Sequence, residues 1–138
     1  MSFDLKKLYS ERNAEEGYKF TADAELEKAF SDFFPFEETP DQVEADREIS
    51  LDMQSGKVMD RLICGDVGFG KTEVAIRAAF KAATDGKQVA VLVPTTILAF
   101  QHYRSFKERL KEFPVTVSYL NRFRTAKQKS ETKQGLRE

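Results

Sequence analysis

The hydrophobic and polar positions change their period along the chain. Over residues 2–34 the apolar positions fall at helical spacing, with Leu5, Leu8 and Tyr9 in one group and Ala24, Leu26, Phe30 and Phe33 in another. This predicts two helices, one ended by Gly17 and one beginning after Thr21. Thr39 then offers an N-cap and Pro40 suits a first helical position. Gln42, three residues after Thr39, completes a capping box. A third helix is expected to run to about Met53, with Val43, Ala45, Ile49 and Met53 as its apolar positions, and Ser55-Gly56-Lys57 ends it. Beyond residue 60, short apolar runs alternate with helical periods. Arg61–Cys64, Gln88–Val93 and Val115–Leu120 read as strands. The middle run is almost continuously apolar, as in a parallel sheet covered on both faces. Glu73–Ala83 and a stretch from about Thr96 to Lys111 read as helices, Asp85-Gly86 as a turn, and Pro94 and Pro114 as stops. The tail after Arg124 is polar, and helical or frayed. Strands alternating with helices predict an α/β fold, with a parallel sheet flanked by helices and right-handed crossovers.

Between the first expected strand and its helix lies Gly65-Asp66-Val67-Gly68-Phe69-Gly70-Lys71-Thr72, the pattern G-x-x-x-x-G-K-T. Each position has a physical task. Glycines let the backbone wrap a phosphate, so that successive N–H groups point inward. Lys71 brings an ammonium to the outer phosphates, and the Thr72 hydroxyl suits Mg²⁺, a hard cation that prefers oxygen. Strand, glycine loop and helix in this order aim a helix N-terminus at an anion. The cofactors expected are therefore ATP and Mg²⁺, with Lys71 and Thr72 as the chemically active pair and Thr72 as the metal ligand. Gly65, Asp66, Val67, Gly68, Phe69, Gly70 and Glu73 complete the cradle. Asp66 lies inside the loop, where it serves the turn rather than acid catalysis.

Composition narrows the picture. With 138 residues and 41% hydrophobic content the chain can bury a core. One cysteine, Cys64, and one histidine, His102, exclude an internal disulfide and a zinc site of Cys/His type. Cys64 is expected to pack in a strand, and His102 to be structural. No apolar stretch spans a bilayer and no signal-peptide core occurs, so a cytoplasmic protein is expected. The net charge of −1 hides an asymmetry: residues 1–60 carry 16 acidic and 7 basic side chains, residues 61–138 carry 7 and 15. A basic half suits a polyanion such as nucleic acid, and equally suits attraction to the acidic half or solvated helix faces.

Three landmarks occur in a fixed order: Phe36 with Thr39-Pro40-Asp41-Gln42, the phosphate loop, and Pro94-Thr95-Thr96-Ile97-Leu98-Ala99-Phe100-Gln101. This order resembles the first RecA-like lobe of superfamily-two helicases and translocases, in which the upstream Gln belongs to an adenine-reading motif and the Pro-Thr-Thr block to a strand-gripping one. Asp60–Ala75, Phe34–Gln42, Asp85–Thr96 and Arg122-Phe123-Arg124 are more similar still to the bacterial transcription-repair coupling factors. The RecG-type branch-migration helicases are close relatives, sharing Gly-Asp-Val-Gly-x-Gly-Lys-Thr and the Pro-Thr block. The resemblance covers about residues 5–130. It implies an incomplete RecA-like sheet over residues 35–138 after an N-terminal helical segment at 1–34. It also implies an ATP-driven motor on double-stranded DNA that acts on stalled RNA polymerase and recruits excision-repair proteins. Those partners would be held by modules outside these 138 residues. No Asp-Glu-x-x box follows residue 72 and no second lobe is present, so these residues read as a fragment expected to be inactive in hydrolysis by itself.

Several positions keep two readings. Gln42 reads adenine, as the resemblance implies, or simply completes its capping box. Phe36 stacks on the base or packs in the core. Thr95, Thr96 and Gln101 grip DNA phosphates, or the threonines only cap a helix. Arg122 and Arg124 contact the DNA backbone or form a solvated basic face. A complete small P-loop kinase would need an acceptor site and a carboxylate-bearing strand that the chain does not offer. A scaffold that has lost ATP is disfavoured by the intact Gly68, Gly70, Lys71 and Thr72.

Overall fold

The computed structural model describes residues 2–65 and 70–137, and contains six helices among them. These are α1 (Ser2–Ala14), α2 (Ala24–Asp32), α3 (Pro40–Gln54), α4 (Lys71–Thr84), α5 (Thr96–Leu110) and α6 (Ala126–Gly135). The chain divides into two compact units, Met1–Lys81 and Ala82–Glu138, with α4 crossing the division.

In the first unit the core lies between α2, α3 and α4. Phe30 and Phe80 are each 2% exposed and stack at 4.1 Å with their planes 9° apart. Ile49, Met53, Val74 and Ile76 are buried with them. Helix α2 starts at Asp23, whose carboxylate accepts the Leu26 N–H at 3.0 Å. Helix α3 starts as expected: Thr39 Oγ1 accepts the Gln42 N–H at 3.2 Å, and Gln42 Oε1 accepts the Thr39 N–H at 2.9 Å. Gly17 has a different task from the one expected. Helix α1 already ends at Ala14, and the Gly17 N–H donates to the Gly56 carbonyl at 2.8 Å. A Cβ at Gly17 would sit 2.6 Å from the Lys57 carbonyl, so glycine permits the two backbones to meet where Glu16 and Lys57 form an antiparallel bridge.

In the second unit, α5 begins at Thr95, whose hydroxyl accepts the Leu98 N–H at 3.1 Å, and buries Phe106 and Leu110. A second capping box, Thr125 with Gln128, starts α6 and makes the polar tail helical. Phe100, Tyr103 and Tyr119 cluster, with ring centres 4.6 to 6.4 Å apart.

The expected strands are the main correction. Among the described residues no strand is formed, and 61–64, 88–93 and 115–120 carry no regular secondary structure. The physical reason is that a strand has no hydrogen bonds of its own and needs a neighbour about 4.8 Å away to supply them. Leu92 is 99% exposed, and Val89 and Val91 are also open to solvent. Cys64, expected to be packed, is exposed for the same reason. Residues 115–120 still alternate between half-buried and exposed, the period of an extended chain. No helix among the described residues is long and apolar enough to cross a membrane.

Candidate nucleotide-binding site

Both ends of the phosphate loop are described, while Asp66, Val67, Gly68 and Phe69 lie outside the described residues. At the near end, the Gly65 carbonyl accepts a hydrogen bond from Lys71 Nζ. At the far end, Gly70 has φ +78°, a backbone conformation that side chains disfavour. Its carbonyl accepts the first hydrogen bonds of α4, from the Glu73 N–H at 3.1 Å and the Val74 N–H at 3.4 Å. Lys71 and Thr72 are therefore the first two residues of α4, at the positive end of its dipole.

The upstream landmark meets this loop. A Cβ on Gly70 would lie 1.9 Å from Gln42 Nε2, so the Gln42 amide occupies the space that any side chain at 70 would need. Gln42 is 7% exposed. Its cap with Thr39 fixes the amide's direction, so the capping and loop-facing roles coexist. Phe36 is 74% exposed and packs edge-to-face with Phe34 at 5.7 Å. Its ring is thus presented to solvent beside the capping segment rather than sunk in the core.

Charges buried behind the loop escape a reading of the sequence. Glu73, Arg77 and Lys81 repeat at every fourth position of α4 and are all buried. Arg77 Nε donates to Glu73 Oε1 at 3.1 Å, its Nη1 pairs with Glu38, and its Cζ lies 5.5 Å from the centre of the Phe34 ring. Burial lowers the Arg77 pKa, but the hydrogen bonds to Glu73 and Glu38 outweigh it and hold the group above its ordinary value. Lys81 donates to Ser50 Oγ and lies 3.1 Å from Glu27 Oε1. Asp46 is raised above its ordinary value by burial, with Arg77 and Lys81 offsetting part of that effect. The signal was the spacing itself, because an acid followed by cations at i+4 and i+8 marks an ion-pair ladder. The spacing does not say that the ladder is buried.

The expected DNA contacts all fall in the second unit. The Thr95 hydroxyl is engaged as the α5 cap, Thr96 is half-buried and Gln101 is exposed. Arg122 is exposed, with its guanidinium 4.9 Å from the centre of the Phe123 ring. Arg124 is half-buried, 4.7 Å from the centre of the Tyr119 ring, and its Nε is buried without a hydrogen-bond partner among the described residues. Among the described residues, no cluster of three or more His, Cys, Asp or Glu could hold a metal.

The sequence pattern of a P-loop thus leads into the N-terminus of α4, with a glutamine amide against its last glycine, the class of motif that nucleotide-binding lobes carry. Residues 39–137 match the DEAD/DEAH box helicase family, and the chain belongs to that family. The chain is 58% identical over 134 residues to the transcription-repair-coupling factor of Bacillus subtilis (strain 168), covering 97% of this chain and 11% of that protein. It is 56% identical to the factor of the same name from Staphylococcus epidermidis (strain ATCC 12228 / FDA PCI 1200), covering 97% of this chain and 12% of that protein. It is similar to the solved structure of RecG bound to a three-way DNA junction, with TM-score 0.89 and 39% identity. That match covers 98% of this chain and 18% of the RecG chain. The chain spans about a tenth of the length of the curated relatives it matches. Family and structural likeness support the RecA-like class expected from the sequence, although the described residues form no hydrogen-bonded sheet.

Proposed function

We propose that this chain is the ATP-binding part of a cytoplasmic DNA translocase that removes stalled RNA polymerase and couples transcription to nucleotide excision repair. The observation that carries the reading is the Gln42 amide packed on Gly70, which joins a base-reading group to a phosphate loop. Gln Oε1 keeps a second lone pair beyond its cap and Nε2 carries donors, the pair of functions that recognises adenine N6 and N7. Lys71 would hold the outer phosphates and Thr72 the Mg²⁺, with Phe36 stacking on the base. Bound Mg²⁺ would supply charge neutralisation between the phosphates. In the second unit, the start of α5 with Thr95, Thr96 and Gln101, and the exposed Arg122, would meet the phosphate backbone of double-stranded DNA. Arg124 would support that surface by stacking. RNA polymerase and the repair proteins would be bound by other parts of the protein. A RecG-type branch-migrating helicase is the second reading, favoured by the backbone likeness to RecG, but identity to the coupling factors is higher.

Calorimetry with Mg²⁺-ATP tests the site. Weak binding is expected for the chain and none for Lys71→Ala, and equal binding by both would remove the loop as the site. The same preparation should release no phosphate, with or without DNA, because these residues contain no Asp-Glu-x-x box.

A further inference from the structure

Arg77 lies in the middle of α4, six residues beyond Lys71, and its side chain is only 7% exposed. No nucleotide-binding role follows from its place in the motif. Its contacts nevertheless reach both ends of the segment that precedes the α3 cap. Nη1 pairs with Glu38, the residue before Thr39, while Cζ lies 5.5 Å over the centre of the Phe34 ring. Phe34 in turn holds Phe36 edge-to-face at 5.7 Å. The third contact, from Nε to Glu73 at 3.1 Å, ties the same guanidinium to the residue that follows Thr72. The contacts close a circuit. From Gly70 it runs through the Gln42 amide and the Thr39 cap to Glu38, and from Glu38 through Arg77 back to α4.

We propose that Arg77 is a positioning residue for base selectivity. By clamping residues 34–38 to α4 it fixes Phe36 and Gln42 at a set distance from the phosphate loop, so that the chain discriminates adenine from guanine nucleotides. The inference rests on the ATP-binding reading above. A planar guanidinium suits the task because it can grip two carboxylates in different directions while its charge lies over an aromatic ring. A lysine ammonium cannot do all three at once, so Arg77→Lys should behave as a loss. Base recognition by an amide and a ring tolerates little displacement, whereas a phosphate chain bound by Lys71 and the backbone of the loop would feel a shift of residues 34–38 far less.

The test is competition of ATP, GTP and inorganic tripolyphosphate against a fluorescent ATP analogue on the whole 138-residue chain with Mg²⁺. The variants are Arg77→Lys, Arg77→Gln, Glu38→Gln and Lys71→Ala. The wild type should prefer ATP to GTP. Arg77→Lys, Arg77→Gln and Glu38→Gln should each lose up to roughly tenfold of that preference, the scale of one hydrogen bond. The loss should fall on ATP, with tripolyphosphate affinity kept. An equal fall for all three ligands, or an unchanged preference, would overturn the positioning role. If circular dichroism shows that the buried Arg77 variants unfold, the partly exposed Glu38→Gln decides alone. A wild type without base preference also sinks the inference and leaves the loop standing. Wild type that binds nothing, or Lys71→Ala that binds as wild type, instead removes the proposed function and the inference with it.

Discussion

Helix α4 and the run Gln88–Val93 both carry apolar sequences suited to a core, and they meet opposite fates. In α4, Val74, Ile76 and Phe80 are each 2% exposed. In the run 88–93, Leu92 is 99% exposed and Val89 and Val91 are open. The difference is where backbone hydrogen bonds come from. A helix satisfies its own amides, so α4 needs only one partner face to bury its apolar side, and Phe30 of α2 supplies part of it. An apolar strand must borrow its hydrogen bonds from neighbours, and until it is paired it cannot bury its side chains either. Next to Phe30, which stacks on Phe80, Phe34 lies under Arg77 and Phe33 stays 57% exposed.

The comparison can be broken most directly by truncation. Phe80→Ala should cost about 3–5 kcal/mol, the usual range for a buried aromatic ring. Leu92→Ala should stay within about 0.5 kcal/mol, as surface changes do. Urea unfolding of the two variants measures both. Similar losses would mean that the run 88–93 is packed in solution and that its exposure is misread.

Legibility follows the same division. Helix starts are written in a few adjacent residues, so Thr39 with Gln42, and Thr95 before α5, were readable in place. The Thr125–Gln128 box that orders the tail was equally local and was missed because the segment after it is polar throughout. The phosphate loop was readable because its chemistry needs consecutive residues. What could not be read was whatever depends on distant chain. Gly17 looks like a helix stop and is a close-approach site for Lys57. Arg77 and Lys81 look like the solvated stripe of α4, and are buried because Glu38 and Glu27 arrive from other segments. Helical periodicity marks which residues share a face. It does not say whether that face meets water or a carboxylate.

A smaller effect sharpens the contrast between local and tertiary order. The two capping boxes have the same residues at the same spacing, but α3 buries Gln42, Ile49 and Met53 while α6 buries nothing. Thr39→Ala should therefore cost about 1 kcal/mol of unfolding free energy, the typical value of an N-cap. Thr125→Ala should fray α6 and leave the main transition where it is. Amide hydrogen exchange would separate the two outcomes, with protection lost across α3 and its packing partners in the first case and only over residues 126–135 in the second. Global destabilisation by Thr125→Ala would show that α6 is part of the cooperative core.

The smallest expected effect distinguishes a tertiary charge from a surface one by the sign of its pH dependence. Asp46 lines a cavity of about 20 Å³ with Glu27, Phe30, Ser31, Arg77, Phe80 and Lys81. Burial raises its pKa, the two cations oppose that shift, and Glu27 and Glu38 add to it. A carboxyl with a raised folded pKa favours the folded state while protonated. Its contribution is complete below the ordinary aspartate value and is lost as pH rises through the folded one. Asp46→Asn, which keeps the group neutral, should thus raise stability at neutral pH, by less than the cap is worth, and the gain should vanish below the ordinary value. Asp52 runs the other way. A hydrogen bond from Arg61 lowers its pKa, and the residue sits near the surface, 2.7 Å from that guanidinium. Its contribution is present above the ordinary value and is lost as pH falls through the lowered one. Asp52→Asn should cost a little at neutral pH and nothing in strong acid. Thermal melts of both variants from neutral pH into acid give the two curves. Curves of the same sign would mean that Asp46 is solvated like Asp52, and that the charges behind α4 are not buried in solution.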